Sequence, residues 1–134
     1  MLNKDTMIRV VVVVPTVMMG LMAFRWQTTP ELSANSLGMP LLEGLGRSTQ
    51  IGDFSAFFFS VLIFGVLGIV RLKPYWFSAA GILLGSAALF RLLAYLVHGA
   101  SFAMHFILVE LVSAALYLMV AFLLHRQAAL KHKT

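Results

Sequence analysis

The sequence predicts an all-α fold, a four-helix transmembrane up-down bundle in which residues 1–134 form one integral membrane domain. The first reason is composition: 60% of the 134 residues are hydrophobic and 11% are charged, whereas soluble domains carry roughly 25% charged residues. A soluble globule of this size would leave much of that apolar surface in water, at roughly 25 cal/mol per Å². The second reason is that four apolar stretches each fall within the range of about 17–25 residues that a spanning helix needs. The third is the distribution of Lys and Arg, which divides the connecting segments into two sides.

The first span is predicted over about residues 7–24, a stretch that includes Pro15. A basic start followed by an apolar run is also the pattern of a signal peptide. No Ala-x-Ala cleavage pattern follows, since the next residues are Arg25, Trp26 and Gln27. We therefore expect a retained helix, kinked at Pro15 because proline removes a helical hydrogen bond.

The second, third and fourth spans are predicted over about residues 50–70, 75–97 and 102–124. The connections between them are so short that these helices are expected to be antiparallel neighbours. The third span contains Gly81-x-x-x-Gly85 among alanines, a small-residue face that allows close helix packing.

Residues 25–49 form the one long connection in this prediction. They are polar and turn-rich but include five leucines and a methionine. A connection with that apolar content is expected either to lie on the outer leaflet or to cover the bundle as a lid.

The connecting segments differ in basic charge. The N-terminal segment, the second connection and the C-terminal tail together hold seven Lys and Arg residues, whereas the first connection holds two and the third none. By the positive-inside rule, both termini face the cytoplasm of a bacterial inner (plasma) membrane, and residues 25–49 are external. The basic tail lacks the interleaved aromatic residues of a nucleic-acid site, so membrane lipids are the expected partner and nucleic acid is not.

Three ionisable residues lie inside the predicted spans: Asp53 in the second, Arg91 in the third and Glu110 in the fourth. Counted from the cytoplasmic ends at 1.5 Å per residue, they lie about 26, 24 and 21 Å above that side. Charges are costly in lipid, so each residue is expected to face the protein interior. Their similar depth on three helices predicts a polar core in the outer half of the bundle.

Polar side chains at helical spacing from these three residues extend the predicted polar core. They are Tyr95, Ser113 and Tyr117, with His98 and His105 as secondary members. The core is interpreted as a structural network that sets helix register, as a ligand-binding or proton-coupled pocket, or as a subunit contact.

The predicted core has one negative charge in excess, because Arg91 faces both Asp53 and Glu110. Either one carboxyl group is neutral or a further cation completes the balance. Glu110 lies among apolar neighbours and is expected to be the neutral, ligand-facing or proton-carrying acid. Asp53 is then expected to be the ionised structural partner of Arg91.

The sequence predicts no cofactor and no metal site. It has no cysteine, and its His, Asp and Glu residues lack the helical spacing of a metal site. It also lacks the nucleophile-elbow, phosphate-loop and dinucleotide-binding patterns. These observations favour a protein that is not an enzyme.

The order of four short motifs resembles a known family. The motifs are Thr-Pro-Glu-Leu at residues 29–32, Gly52-Asp53, an arginine followed by a short glycine turn (Arg91 to Gly99), and Glu110-Leu111. In this order, and over nearly the whole chain, the sequence resembles the bacterial four-helix membrane proteins grouped as the domain of unknown function 4345, which are DoxX-like in general shape. The resemblance implies the four-helix topology and the Asp53–Arg91–Glu110 group, and it implies no activity.

The leading functional hypothesis is a protein that binds a small apolar or amphipathic ligand, such as a lipid or a quinone, in an outer-leaflet pocket, or an accessory membrane subunit. The first alternative is a small oligomeric or proton-coupled transporter, since four helices enclose little volume. The second is a membrane isomerase that uses Asp53 or Glu110 as acid and base.

Overall fold

The computed structural model describes residues 3–131, in which it has five α-helices and no β-strand. The helices are α1 (Lys4–Thr28), α2 (Pro30–Ser36), α3 (Gly44–Arg71), α4 (Pro74–His98) and α5 (Met104–Lys131). All of them except α2 are long and apolar enough to cross a membrane. The predicted all-α class, with four helices able to span a membrane, is therefore confirmed.

The helix ends follow from local chemistry. Asn3 caps α1, because its side chain accepts a hydrogen bond from the Asp5 backbone N–H at 3.4 Å. Proline is the first residue of α2 and of α4, a position where its missing N–H is not needed. α4 ends at His98 and is capped by Gly99, whose φ of 66° is one that glycine adopts without strain. α1 continues as a helix through Pro15.

The long helices pack in two main pairs, α1 with α3 and α4 with α5, and α3 joins the pairs by packing against α4. Glycines allow the closest approaches. A Cβ added at Gly68 would lie 2.5 Å from the Phe77 ring of α4, and one added at Gly81 would lie 2.7 Å from Leu118 of α5. The small-residue face predicted on the third span therefore packs within the chain, against α5.

Residues 25–49 contain more helix than the sequence suggested, because α1 continues into them, α2 lies within them and α3 begins before they end. α2 packs against α1, and its Ala34 is fully buried. The Gln50 side chain holds the segment after α2: it accepts a hydrogen bond from the Leu42 N–H at 2.9 Å and donates one to the Pro40 carbonyl at 3.1 Å. These contacts hold residues 25–49 against α1 and the first turns of α3.

The outer surface of the long helices is apolar. Phe24, Val70 and Phe90, on three different helices, are each about two-thirds exposed. A soluble protein does not keep large side chains of this kind in water all round its surface. Together with the helix lengths, this surface identifies a multi-pass membrane protein.

Candidate functional site

A cavity of about 260 Å³ lies at the end of the bundle where α2 is found, and all five helices contribute to its wall. Most of the wall is apolar, formed by Met18, Met19, Met22, Leu37, Phe57, Phe58, Leu84, Phe106 and Val109. Its charged and titratable members are Arg25, Arg91, His105 and Glu110. We call this space the five-helix cavity. An apolar pocket with a few convergent polar groups is the usual form of a small-molecule site.

An ion pair between α4 and α5 forms one wall of the five-helix cavity. The Nε of Arg91 donates to both carboxylate oxygens of Glu110, at 2.9 and 3.1 Å, and the Arg91 guanidinium carbon lies 4.9 Å from the centre of the Phe106 ring. Phe106 and Glu110 are one helical turn apart, so they present one face of α5 to Arg91. The Glu110 side chain is 12% exposed and that of Arg91 is 29% exposed. The predicted contact of Arg91 with an intramembrane acid is therefore confirmed for Glu110.

The prediction that Asp53 is the ion-pair partner of Arg91 is wrong. Asp53 is exposed and lines a shallow depression on α3 beside Thr49 and Gln50. Its carboxylate forms no ion pair with any side chain that the structure describes. The inward face of α3 is marked by buried residues such as Gln50, Phe58 and Val61. At 3.6 residues per turn, Asp53 lies about a quarter turn away from that face.

Arg25 is a member of the cavity wall that the sequence reasoning missed. The sequence places it in the external connection, whereas in the structure it lies exposed in the last turn of α1 and lines the five-helix cavity. Its spacing from Met18 and Met22, at i+7 and i+3, is a signal that could have found it, because these three residues share one helix face.

The formal charge of the site therefore differs from that of the predicted Asp53–Arg91–Glu110 group, in which a neutral Glu110 is expected beside an Asp53–Arg91 pair, because the ion-pair partner of Arg91 is Glu110. The wall contains the cationic Arg25 and Arg91 and the anionic Glu110. Its formal charge is one positive in excess, whereas the Asp53–Arg91–Glu110 group would have left one negative in excess with both acids ionised.

Tyr117 is fully buried, but it is a packing residue between α1 and α5 and not a member of the cavity wall. Its hydroxyl lies 2.7 Å from the Thr16 Oγ1. The Thr16 hydroxyl donates to the Val12 carbonyl at 2.7 Å, so Tyr117 is the donor to Thr16. Gly65 of α3 leaves room for this pair, since a Cβ there would lie 2.9 Å from the Tyr117 hydroxyl.

Ser113 is buried and lines a second, apolar space of about 350 Å³ between α1 and α5. The other residues that line it are Val11, Val14, Pro15, Met18, Leu108, Val109, Val112 and Leu116. We call this space the α1–α5 groove. Met18 and Val109 line both the groove and the five-helix cavity, so the two spaces are adjacent.

The remaining predicted residues divide in the same way. Tyr95 is exposed and its ring packs 5.0 Å from that of Phe102. His98 is exposed in the last turn of α4. His105 lines the cavity beside Phe106. The structure therefore brings Arg91, Glu110 and His105 together at the cavity and leaves Asp53, Tyr95, His98, Ser113 and Tyr117 outside it.

Among the residues that the structure describes, no set of three or more His, Asp or Glu residues is close enough together to hold a metal ion. The chemistry that the five-helix cavity offers is thus a hydrogen-bonding and charged end on an otherwise apolar space.

No family model matches the chain, and no curated protein or solved structure matches it either. The resemblance to the domain of unknown function 4345 stays a prediction.

Proposed function

We propose that this protein binds a small apolar or amphipathic membrane molecule, of the lipid or quinone class, in the five-helix cavity. The observation that carries the proposal is the composition of the cavity wall, in which methionine and phenylalanine side chains surround a single ion pair, Arg91 with Glu110. Apolar walls take up the body of a membrane molecule, and the few polar groups orient its polar end.

The proposed setting is the outer half of a bacterial inner membrane, with both termini in the cytoplasm and the four long helices in up-down order. The origin of the cavity wall supports this order. The wall takes residues near the C-terminal ends of α1 and α4, such as Arg25 and Arg91, and residues in the N-terminal halves of α3 and α5, such as Phe57 and His105. Such a combination meets at one level when consecutive spanning helices alternate in direction. The low Lys and Arg content of the connections at that end supports an external position.

Methionine gives the cavity a wall that adapts to its occupant. Met18, Met19 and Met22 of α1 all line it, and unbranched thioether side chains fill irregular space and tolerate different partners. Such a wall suits a protein that selects membrane molecules by polarity and size. The chain would do so alone, as a homo-oligomer or as an accessory subunit of a larger complex.

Native mass spectrometry of the full chain from a mild, uncharged detergent tests the proposal by detecting a co-purifying molecule and the subunit count. The variant Val109→Phe narrows the cavity at its junction with the groove, because Val109 is half-buried and lines both. Ile69→Phe is the matched control. Ile69 is also half-buried, but it lies near the C-terminal end of α3 and does not line the cavity.

We expect a bound molecule in the parent and in Ile69→Phe, and a reduced occupancy in Val109→Phe at an unchanged thermal melt. An empty parent protein, or equal occupancy in the two variants, would contradict the proposal.

A further inference from the structure

Arg91 uses one of its five N–H groups on Glu110. The donor in both hydrogen bonds is Nε, and neither Nη atom forms a hydrogen bond with the groups that the structure describes. A guanidinium group has four N–H donors on its two Nη atoms. The Arg91 side chain is 29% exposed, so its four Nη donors can bind an acceptor that enters the cavity.

Arg25 adds a second cation without an internal partner. It lines the five-helix cavity and makes no ion pair in the part of the chain that the structure describes. Glu110 neutralises one of the two arginines, and the other positive charge is uncompensated. Arg25 is exposed in the last turn of α1, so an anionic group in the cavity would pair with it while accepting the Nη hydrogen bonds of Arg91.

The α1–α5 groove provides an apolar path away from these cations. α1 and α5 share fewer contacts than the main helix pairs, and the groove between them opens to the outer surface of the bundle. It extends along α1 from Met18 to Val11, a distance of about 10 Å at 1.5 Å per residue. The exposed valines Val14 and Val112 form its two sides. An acyl chain in this groove would be half in protein and half in lipid.

We infer that the occupant of the five-helix cavity is a single-chain amphiphile with an anionic head group, a carboxylate or a phosphate. The head group accepts hydrogen bonds from the Nη atoms of Arg91 and pairs with Arg25, and the acyl chain leaves through the α1–α5 groove. This inference rests on the proposed function and deepens it by assigning the charge of the ligand and the direction of its tail.

The test compares three probes that have the same tail: hexadecanoate, monohexadecyl phosphate and hexadecanol. Each is titrated into the full chain in an uncharged detergent, and binding is measured by native mass spectrometry. Inorganic phosphate alone is a fourth probe. We expect the two anions to bind at least about tenfold more tightly than hexadecanol, since a charge-assisted contact is worth about that factor or more. Inorganic phosphate should bind far more weakly than monohexadecyl phosphate.

The head-group assignment is tested by Arg25→Gln, with Arg71→Gln as its matched control. Both arginines are the basic residues in the last turns of their helices, α1 and α3, so both substitutions remove the same favourable helix-end interaction. Arg25→Gln should weaken the binding of the two anions about tenfold and leave the binding of hexadecanol unchanged. Arg71→Gln should leave the binding of all the probes unchanged.

The tail assignment is tested by Val112→Trp, with Ile82→Trp as its matched control. Val112 and Ile82 are 59% and 60% exposed, so both positions accept a large side chain without repacking, but only Val112 lines the groove. Val112→Trp should weaken the binding of all three long-chain probes, and Ile82→Trp should not.

The outcomes separate the inference from the function on which it rests. If hexadecanol and the two anions bind with equal affinity, and Arg25→Gln does not change these affinities, the assignment of an anionic head group is wrong and the proposed binding function stands. Inorganic phosphate that binds as tightly as monohexadecyl phosphate overturns the tail. Failure of all three long-chain probes to bind overturns the proposed function itself. A preference for one of the two anions supports the inference and identifies the head group.

Discussion

Replacing Arg91 by alanine should destabilise the protein strongly, because it leaves Glu110 inside the bundle without its cation. In the structure, the Arg91 Nε bonds to both oxygens of a carboxylate that is only 12% exposed. Removing one partner of a buried ion pair typically costs about 3–5 kcal/mol. The lost contact of the guanidinium with the Phe106 ring, at 4.9 Å, adds about 0.5–1 kcal/mol.

The measurement is a thermal melt of the purified full chain in detergent, followed by circular dichroism. For a chain of 134 residues, a loss of this size lowers Tm by roughly 10 °C or more. Asp53→Asn is the control. It also removes an acid from a spanning helix, but the Asp53 side chain is exposed and forms no ion pair with the side chains that the structure describes. Its effect should stay within about 0.5 kcal/mol, as for other surface substitutions.

A rescue variant separates the loss of the pair from the stranding of one partner. Arg91→Leu combined with Glu110→Leu replaces both charges by apolar side chains and should recover most of the lost stability, because the desolvation cost of the pair disappears with it. The reasoning is refuted if Arg91→Ala melts at the parent temperature. It is also refuted if Asp53→Asn is the more damaging change, since that result would return Asp53 to the role of ion-pair partner.

Three further results are expected. Tyr117→Phe should lower the free energy of unfolding by about 0.5–1.5 kcal/mol, because it removes the buried hydrogen bond between α1 and α5; a chemical or thermal melt with no change would contradict this. Gly68→Ala should destabilise by about 1–3 kcal/mol, because its Cβ would lie 2.5 Å from the Phe77 ring, whereas Gly52→Ala, where the added Cβ meets open space, should not; equal melts would count against the packing of α3 on α4. Ser101→Cys should react with an impermeant thiol reagent in intact cells, since its connection has no Lys or Arg, and labelling only after cell lysis would reverse the proposed orientation.

The difference in formal charge changes which ligand the site favours. An Asp53–Arg91–Glu110 core would have suited a neutral acid or a bound cation. The observed wall, with Arg25 and Arg91 beside Glu110, suits an anion. Two residues account for the difference: Asp53 lies outside the cavity wall, and Arg25 is part of it.

The sequence by itself determined the class of solvent and the number of spanning helices. Four stretches of apolar residues have the length of a bilayer core, and in lipid the backbone must satisfy its hydrogen bonds within each helix. The rise of 1.5 Å per residue also placed Arg91 and Glu110 at similar depth, and the structure joins them in one ion pair. Length and depth are properties of a single helix, so one helix at a time is enough to predict them.

Only the tertiary structure decided which residues face one another. The rotation of α3 about its axis is set by packing, with Gly65 fitting against Tyr117 and Gly68 against Phe77, and that rotation turns Asp53 outward. The same is true of Arg25, which reaches the cavity because α1 continues as a helix to its position. A weak amphipathic pattern cannot fix rotation in a membrane helix, because lipid and protein interior are equally apolar and only the fit of side chains between helices distinguishes its faces.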